Sequence, residues 1–270
     1  MKISIITVTC NSAQTLQATV NSVLSQSYQN IEYIIVDGNS TDGTLDIIKE
    51  NEPKFNGKMK WISESDSGIY DAMNKGIAMA TGEIVGILNS DDFFFNTEIL
   101  SEINSLFEKE SCDVLYGDLI YQNEIKSIRH WKSNQFRTNS LYYGWMPPHP
   151  TLYCKRSLYN NDIGIFDSKF RISADYDLIL RIFKNDELKS VYFPQVMIVM
   201  SQGGISNASL KSKFLKSKED YLVLRKNNIN FPILVVFLKN IRKIYQFVRA
   251  KTFYSSPPTP AHSQTPLPKA

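Results

Sequence analysis

The 270-residue sequence predicts an α/β fold: a mostly parallel open sheet with flanking helices and a helical extension at its C-terminal end. Three observations predict it. Short β-rich apolar runs alternate with segments of helical periodicity. The first runs are short, β-rich and predominantly apolar, as buried parallel strands are. Three of the runs end in polar loops, at 9–11, 37–42 and 89–92. A parallel sheet gathers such loops at the carboxyl edge of its strands, where ligands bind.

The elements follow in order. Residues 2–9 (KISIITVT) form the first strand; Asn11 and Ser12 then offer capping side chains to a helix carrying Leu16, Val20, Val23 and Leu24. Residues 31–36 (IEYIIV) are a second strand, 44–50 a helix and 58–63 a third strand. A helix over 68–80 leads to a strand at 83–88, which runs directly into Asn89, Ser90, Asp91 and Asp92. Helical spacing returns over 98–107, and 114–121 is again a strand. Beyond 125 the alternation weakens into aromatic-rich loops, followed by a helix at 175–183 and a strand at 190–200. Residues 208–226 and 233–251 are two further helices, and the Pro- and Ser-rich 254–270 is a disordered tail.

Composition narrows the function classes. With 43% hydrophobic and 21% charged residues the chain has the makings of a buried core, which excludes wholesale disorder. Cys10, Cys112 and Cys154 are scattered and form no CxxC pair, so neither a disulfide framework nor a structural zinc site is expected, and a reducing cytoplasm fits. No signal peptide and no membrane-spanning run is found. Charge is segregated: residues 1–204 carry 18 Lys and Arg against 25 Asp and Glu, whereas 205–270 carry 12 against 2. Such a basic end calls for an anionic partner.

Four segments carry chemistry. Adjacent carboxylates at a strand end, as in Asn89–Asp92, can hold Mg²⁺ or Mn²⁺ against a diphosphate; a solvated turn with a helix cap explains an isolated SDD equally well. In VDGNSTDGT, Asp37 closes a strand where a carboxylate can accept an N–H from a uracil ring, while Ser40, Thr41 and Asp42 suit a plain turn and cap. In SESDSGIYDAMNKG, Asp66 sits in a loop and Lys75 on the next helix, where a lysine can meet diphosphate oxygens. In SADYDLILRI, Asp175 opens a helix whose dipole favours the ionised carboxylate. That state suits a general base, and it equally suits a structural cap.

Together, in this order, IITVTCN, VDGNSTDGT, DSGIYDAMNKGI, TGEIVGILNSDD and the Asp175 region resemble the family-2 glycosyltransferases of GT-A fold, over about residues 1–205. The resemblance implies a Rossmann-like mixed, mostly parallel sheet. Its nucleotide-sugar-binding half would span 1–121 and its acceptor-binding half 122–205, with 206–253 as a basic amphipathic extension. It implies that Thr7, Val8, Thr9 and Asn11 line a nucleoside pocket, that Asp37 contacts uracil, and that Asp66 and Lys75 lie near the base or diphosphate. Asn89, Ser90, Asp91 and Asp92 would form the donor-diphosphate segment, with Asp91 and Asp92 as the metal pair. Asn89 stands where many members carry the first aspartate, and Asp91 is favoured as the direct ligand. Asp175 matches the second residue of the family's Glu-Asp pair, the base, with Ala174 in place of the glutamate. His149 and Thr151 fall at acceptor- or donor-site positions, and the loop holding Gln202 and Gly203 at a segment that closes over the diphosphate.

The implied reaction is an inverting transfer of a hexose or N-acetylhexosamine from a UDP-sugar, with Mn²⁺ or Mg²⁺, to a polyprenyl-diphosphate-linked glycan of an O-antigen, capsule or exopolysaccharide. The basic helices 208–251 suggest peripheral attachment to an anionic membrane surface at the inner leaflet; a helix packed on the catalytic domain with a solvated basic face is the alternative. A nucleotidyltransferase shares the metal-and-carboxylate logic but needs a Gly-rich first loop with a following Arg or Lys, which 7–12 lacks. A non-catalytic sugar-nucleotide- or glycan-binding module would bind without turnover. Nucleic acid is not expected as a partner, because the body is acidic and the basic residues are interleaved with Ile, Val and Phe.

Overall fold

The computed structural model describes residues 1–122, 127–160, 163–201 and 210–250. Strands β1 (Ile3–Thr9), β2 (Ile31–Asp37), β3 (Met59–Ser63) and β4 (Ile84–Ile87) pair in parallel in the order β3-β2-β1-β4. The helices between them are α1 (Leu16–Leu24), α2 (Thr44–Asn51) and α3 (Ile69–Met79). Beyond β4 the sheet turns mixed. β5 (Asp92–Phe94) and α4 (Ile99–Glu110) precede β6 (Val114–Gln122), β7 (Ser127–Trp131) and β8 (Tyr153–Lys155). After the short α5 (Ser157–Asn160) come α6 (Ala174–Phe183) and β9 (Ser190–Ser201). The order continues β4-β8-β6-β9-β5, and β7 pairs antiparallel with the C-terminal half of β6.

Period-two alternation splits the core between the two faces of the sheet. Ile6, Val8, Ile34 and Val36 face α3 and α6, while Ile3, Ile5, Tyr33 and Ile35 face α1, α2 and α4. The NKG turn of α3 lies so close to β1 that a Cβ on Gly76 would sit 2.4 Å from Ile6 Cγ2. Glu32 ties the strands together at their opposite end. Its carboxylate accepts from Ser4 Oγ (2.6 Å), Lys2 Nζ (3.1 Å), Lys60 Nζ (3.2 Å) and the Gly82 amide (2.9 Å). Burial alone would raise this carboxyl, but the hydrogen bonds from Ser4 and Thr81 and the nearby Lys2 outweigh it and hold it well below the carboxylate range.

The helices expected at the C-terminal end form a hairpin, α7 (Leu210–Lys226) and α8 (Pro232–Ala250). Val223, Leu224, Ile229 and Val235 are buried in the same core as β1 and α6, so the hairpin is part of the folded body. Gly144 accommodates it: the residue is left-handed (φ +68°), and a Cβ there would stand 2.6 Å from Lys239 Cβ. The loop containing Gln202 and Gly203, and the tail from 254, lie outside the described residues.

Candidate active site

The carboxyl ends of β1, β2 and β4 open onto one cleft of about 990 Å³, at the upper end of the roughly 300–1,000 Å³ common for small-molecule sites. Val8, Thr9 and Asn11 line it from the β1 loop, with Gly38 from the β2 loop and Asp66 from the β3 loop. Asn89, Ser90 and Asp91 line it from the β4 loop, and His149 and Asp175 also line it. Three loops distant in sequence therefore meet because their strands are parallel neighbours.

The loops hold one another. Asn11 and Asn39 take left-handed backbones (φ 50° and 58°), which Asn tolerates better than most residues. Asn11 N–H donates to Ser40 Oγ (2.7 Å), and Thr41 N–H donates back to Asn11 Oδ1 (2.9 Å). Ser12 and Ser90 share a hydroxyl hydrogen bond of 3.1 Å between the β1 and β4 loops. The Thr9 hydroxyl is buried at the cleft wall without a hydrogen-bond partner.

Asp37 departs from the expected uracil contact. It is wholly buried, and its oxygens accept from Ser40 Oγ (2.5 Å), Ser40 N–H (3.0 Å) and Ser63 Oγ (2.6 Å). It shapes the loop, and the carboxylate presented to the cleft is that of Asp66, packed over Gly38. Lys75 Nζ clamps Asp66 at 2.6 Å and also meets Glu64 (2.8 Å) and Asp71 (3.6 Å). Hydrogen bonds to Asp66 and then Glu64 push its ammonium pKa up, so Lys75 is engaged by carboxylates and is not itself a lining residue. Thr7 is likewise buried, accepting from Tyr33 Oη (3.1 Å), and does not reach the cleft.

The Asp91/Asp92 pair divides. Asp91 faces the cleft, whereas Asp92 begins β5, pairs with Met200 and is fully buried. Asn89 Nδ2 donates to Asp92 Oδ2 (2.7 Å), and Oδ1 has no partner. Burial, then the charge of Asp91, pushes the Asp92 carboxyl well up, toward the neutral form. Asp92, expected with Asp91 as a metal and nucleotide ligand, is turned inward by β5 pairing and does not line the cleft.

Among the described residues no group of three or more His, Cys, Asp or Glu could enclose a metal ion. Asp91 alone fits an oxygen-ligand cation that keeps its waters and shares a diphosphate, the way Mg²⁺ is held by one or two carboxylates plus phosphates. Burial raises the Asp91 carboxyl, and a bound cation would reverse that penalty.

Asp175 sits in the first turn of α6. Its Oδ1 accepts from Tyr70 Oη (3.2 Å) and the Tyr176 amide (2.8 Å), which leaves Oδ2 unbonded among the described residues. Burial, then the charge of Asp175, pushes the Tyr70 phenol well up, so it stays a donor. His149 packs edge-on to Phe166 (5.4 Å), and burial lowers its imidazole pKa, keeping the ring neutral near pH 7. Thr151, expected at an acceptor- or donor-site position, does not line the cleft. It is fully buried, and its hydroxyl bonds the carbonyls of Gly117 (3.0 Å) and Pro148 (2.9 Å), holding the turn that presents His149.

The segment before Asp175 is secured from α7. Glu219 accepts the amides of Arg171 (3.0 Å), Ile172 (2.8 Å) and Ser173 (3.0 Å), and Asp220 accepts from Ser173 Oγ (2.8 Å). The sequence pattern passes over Glu219: one acidic residue on a basic helix reads as a surface charge until the helix is docked.

A mixed sheet with a nucleotide-sized cleft at its parallel edge, one exposed carboxylate at a strand end and another at a helix N-terminus define a glycosyltransferase of the GT-A class. The chain belongs to glycosyl transferase family 2, whose pattern matches residues 4–173. It is 32% identical over 215 residues, 79% of this chain and 82% of the relative, to a PGL/p-HBAD biosynthesis glycosyltransferase of Mycobacterium bovis (strain BCG / Pasteur 1173P2). A Rickettsia typhi glycosyltransferase is 27% identical, covering 93% of this chain and 84% of that protein. In fold it is similar to S. aureus TarS 1-349 solved with UDP-GlcNAc (TM-score 0.69, 21% identity, 93% of this chain and 72% of that one). It also matches the mannosyltransferase PcManGT of Pyrobaculum calidifontis solved with GDP-Man and Mn²⁺ (TM-score 0.63, 16% identity, 92% and 73%).

Proposed function

We propose that the enzyme moves a hexose or N-acetylhexosamine from a UDP-sugar to a lipid-diphosphate-linked glycan of a bacterial surface polysaccharide, with inversion. One observation carries the reading: Asp91 and Asp175 line a single cleft together with Val8, Thr9 and Asp66. Asp66, held by Lys75, is placed to accept an N–H from the base, the role expected of Asp37. The buried, unpartnered Thr9 hydroxyl is a further group for the nucleoside to satisfy. Asp91 would hold Mn²⁺ or Mg²⁺, and such an ion neutralises charge on a departing diphosphate.

Asp175 Oδ2 takes the proton of the acceptor hydroxyl. The freed oxygen forms its bond to the anomeric carbon from one face as the carbon–oxygen bond to UDP breaks on the other, and the electron pair leaves with UDP. The Tyr176 amide keeps the carboxylate oriented by donating to Oδ1 (2.8 Å), while Tyr70 Oη, 3.2 Å from the same oxygen, is shared with the Ile172 carbonyl at 2.7 Å. Support for UDP comes from the nucleotide in the TarS structure, and support for a lipid-borne acceptor from the basic C-terminal helices.

The site at the membrane is proposed on the outer face of the hairpin. Phe214, Phe231 and Ile233 are 76%, 77% and 75% exposed, and Phe237 and Ile241 continue the stripe among basic residues. No helix among the described residues is long and apolar enough to cross a membrane. An interfacial helix of this kind lies on an anionic leaflet.

The test is a panel of UDP-sugars, with and without Mn²⁺, against a synthetic lipid-diphosphate monosaccharide. The reading expects acceptor-dependent UDP release with one donor. Binding of UDP-sugars without turnover would favour a binding module, and pyrophosphate release from a sugar phosphate and UTP would favour a nucleotidyltransferase.

A further inference from the structure

The helical hairpin contributes to the lining of the same cleft as Asp175. Arg171, Lys216, Lys239 and Arg242 line it there, with Asp220. Their placement follows from the hairpin's register. Asp220 of α7 and Lys239 of α8 are joined at 2.9 Å, and Asp220 also holds Ser173, two residues before Asp175. Lys216 lies one turn before Asp220 and Arg242 one turn after Lys239. Because the two helices run in opposite directions, these residues stand level with each other at one end of the hairpin. Arg171 reaches the same end from the strand-to-helix segment that Glu219 fixes.

The charges there are unbalanced. Lys239 is neutralised by Asp220 and sits 3.3 Å over the Tyr176 ring. Lys216 acts on the same Asp220 carboxylate as Lys239, and no salt bridge is formed by Arg171 or Arg242 among the described residues. Arg171, Lys216, Lys239 and Arg242 outnumber the Asp220 and Asp175 carboxylates beside them in the lining, which suits a multiply charged anion. These cations come from α7, α8 and the segment before α6, whereas the residues proposed for the nucleotide come from the β1, β3 and β4 loops.

We infer that Arg171, Lys216 and Arg242 form an acceptor subsite that binds a phosphate or diphosphate ester, placing the hydroxyl of the sugar it carries at Asp175. This rests on the transferase reading above and names what that reading leaves open, the group by which the acceptor is held.

The experiment uses the full chain and two variants, Lys216→Ala/Arg242→Ala and Arg171→Gln. Inorganic pyrophosphate is titrated by calorimetry into protein saturated with UDP and Mn²⁺, so that the donor site is filled. Wild type is expected to bind pyrophosphate, and each variant to bind it about tenfold or more weakly, the loss expected for removed charge-assisted contacts. Acceptor KM is measured in parallel for one sugar presented as a short-chain lipid diphosphate and as an uncharged alkyl glycoside. It should rise by about the same factor for the diphosphate and stay level for the glycoside. No pyrophosphate binding by wild type holding UDP, or equal rises for both acceptors, would overturn the subsite. Variants that lose adsorption to phosphatidylglycerol vesicles but keep the wild-type KM for the soluble diphosphate would assign the cations to the bilayer and overturn it too. Failure of wild type to bind UDP at all would instead count against the transferase reading.

Discussion

Asp91 and Asp92 are neighbours in sequence and opposites in environment, one at the cleft and one sealed under β5. Asparagine has the shape of a neutral aspartic acid, so Asp92→Asn should keep the fold and lower transfer by no more than about threefold. Asp91→Asn should lower it about 100-fold or more, the scale of losing a group that stabilises developing charge. Steady-state kinetics on both variants check this, and equal losses would contradict the division. Glu219 makes a second residue-scale case. Removing its carboxylate strands three amide donors beside Asp175, so Glu219→Ala should cost about 3 kcal/mol of stability in denaturant unfolding. Glu219→Gln should retain part of that and show a lowered kcat with donor affinity unchanged.

At the level of elements, Glu32 and Gly144 are the joints. Glu32 has a lowered folded-state pKa, so its stabilisation is complete above the unfolded carboxylate value of about 4.3 and fades as pH falls below it. Thermal melting should therefore separate wild type from Glu32→Gln most at pH 7, with the gap closing below about pH 4. Gly144→Ala forces a left-handed alanine against Lys239 and should cost about 3 kcal/mol, with α8 gaining protease sensitivity. The strands that were legible, β1, β2, β3, β4, β6 and β9, are those whose β-rich runs declare themselves locally. The short β5, β7 and β8 were not legible, because three to five residues paired antiparallel carry too little pattern. That gap had a consequence: without β5, Asp92 reads as a loop ligand. Asp37 and Thr151 were found as special residues for the right reason, polar groups at strand and turn ends, but only tertiary hydrogen bonds reveal that they face inward.

Across the whole molecule, the hairpin couples three tasks: it braces the Asp175 segment, lines part of the cleft and exposes an apolar stripe. The charge asymmetry of the sequence pointed to an anionic partner for this region, yet not to its role in building the cleft. Replacing Phe231, Ile233 and Phe237 together by Ser should abolish cosedimentation with phosphatidylglycerol vesicles while leaving the melting temperature within about 2 °C, since these side chains are exposed. Undiminished cosedimentation would remove the stripe from membrane binding. The central claim is that folding sets a proton acceptor, Asp175, in one cleft with the donor-holding Asp91. Its most direct test is Asp175→Asn, measured both for UDP affinity and for acceptor-dependent UDP release from the preferred donor. The structure predicts wild-type UDP affinity with release lowered about 1,000-fold or more, the scale expected on removing a general base. Release at the wild-type rate would contradict it.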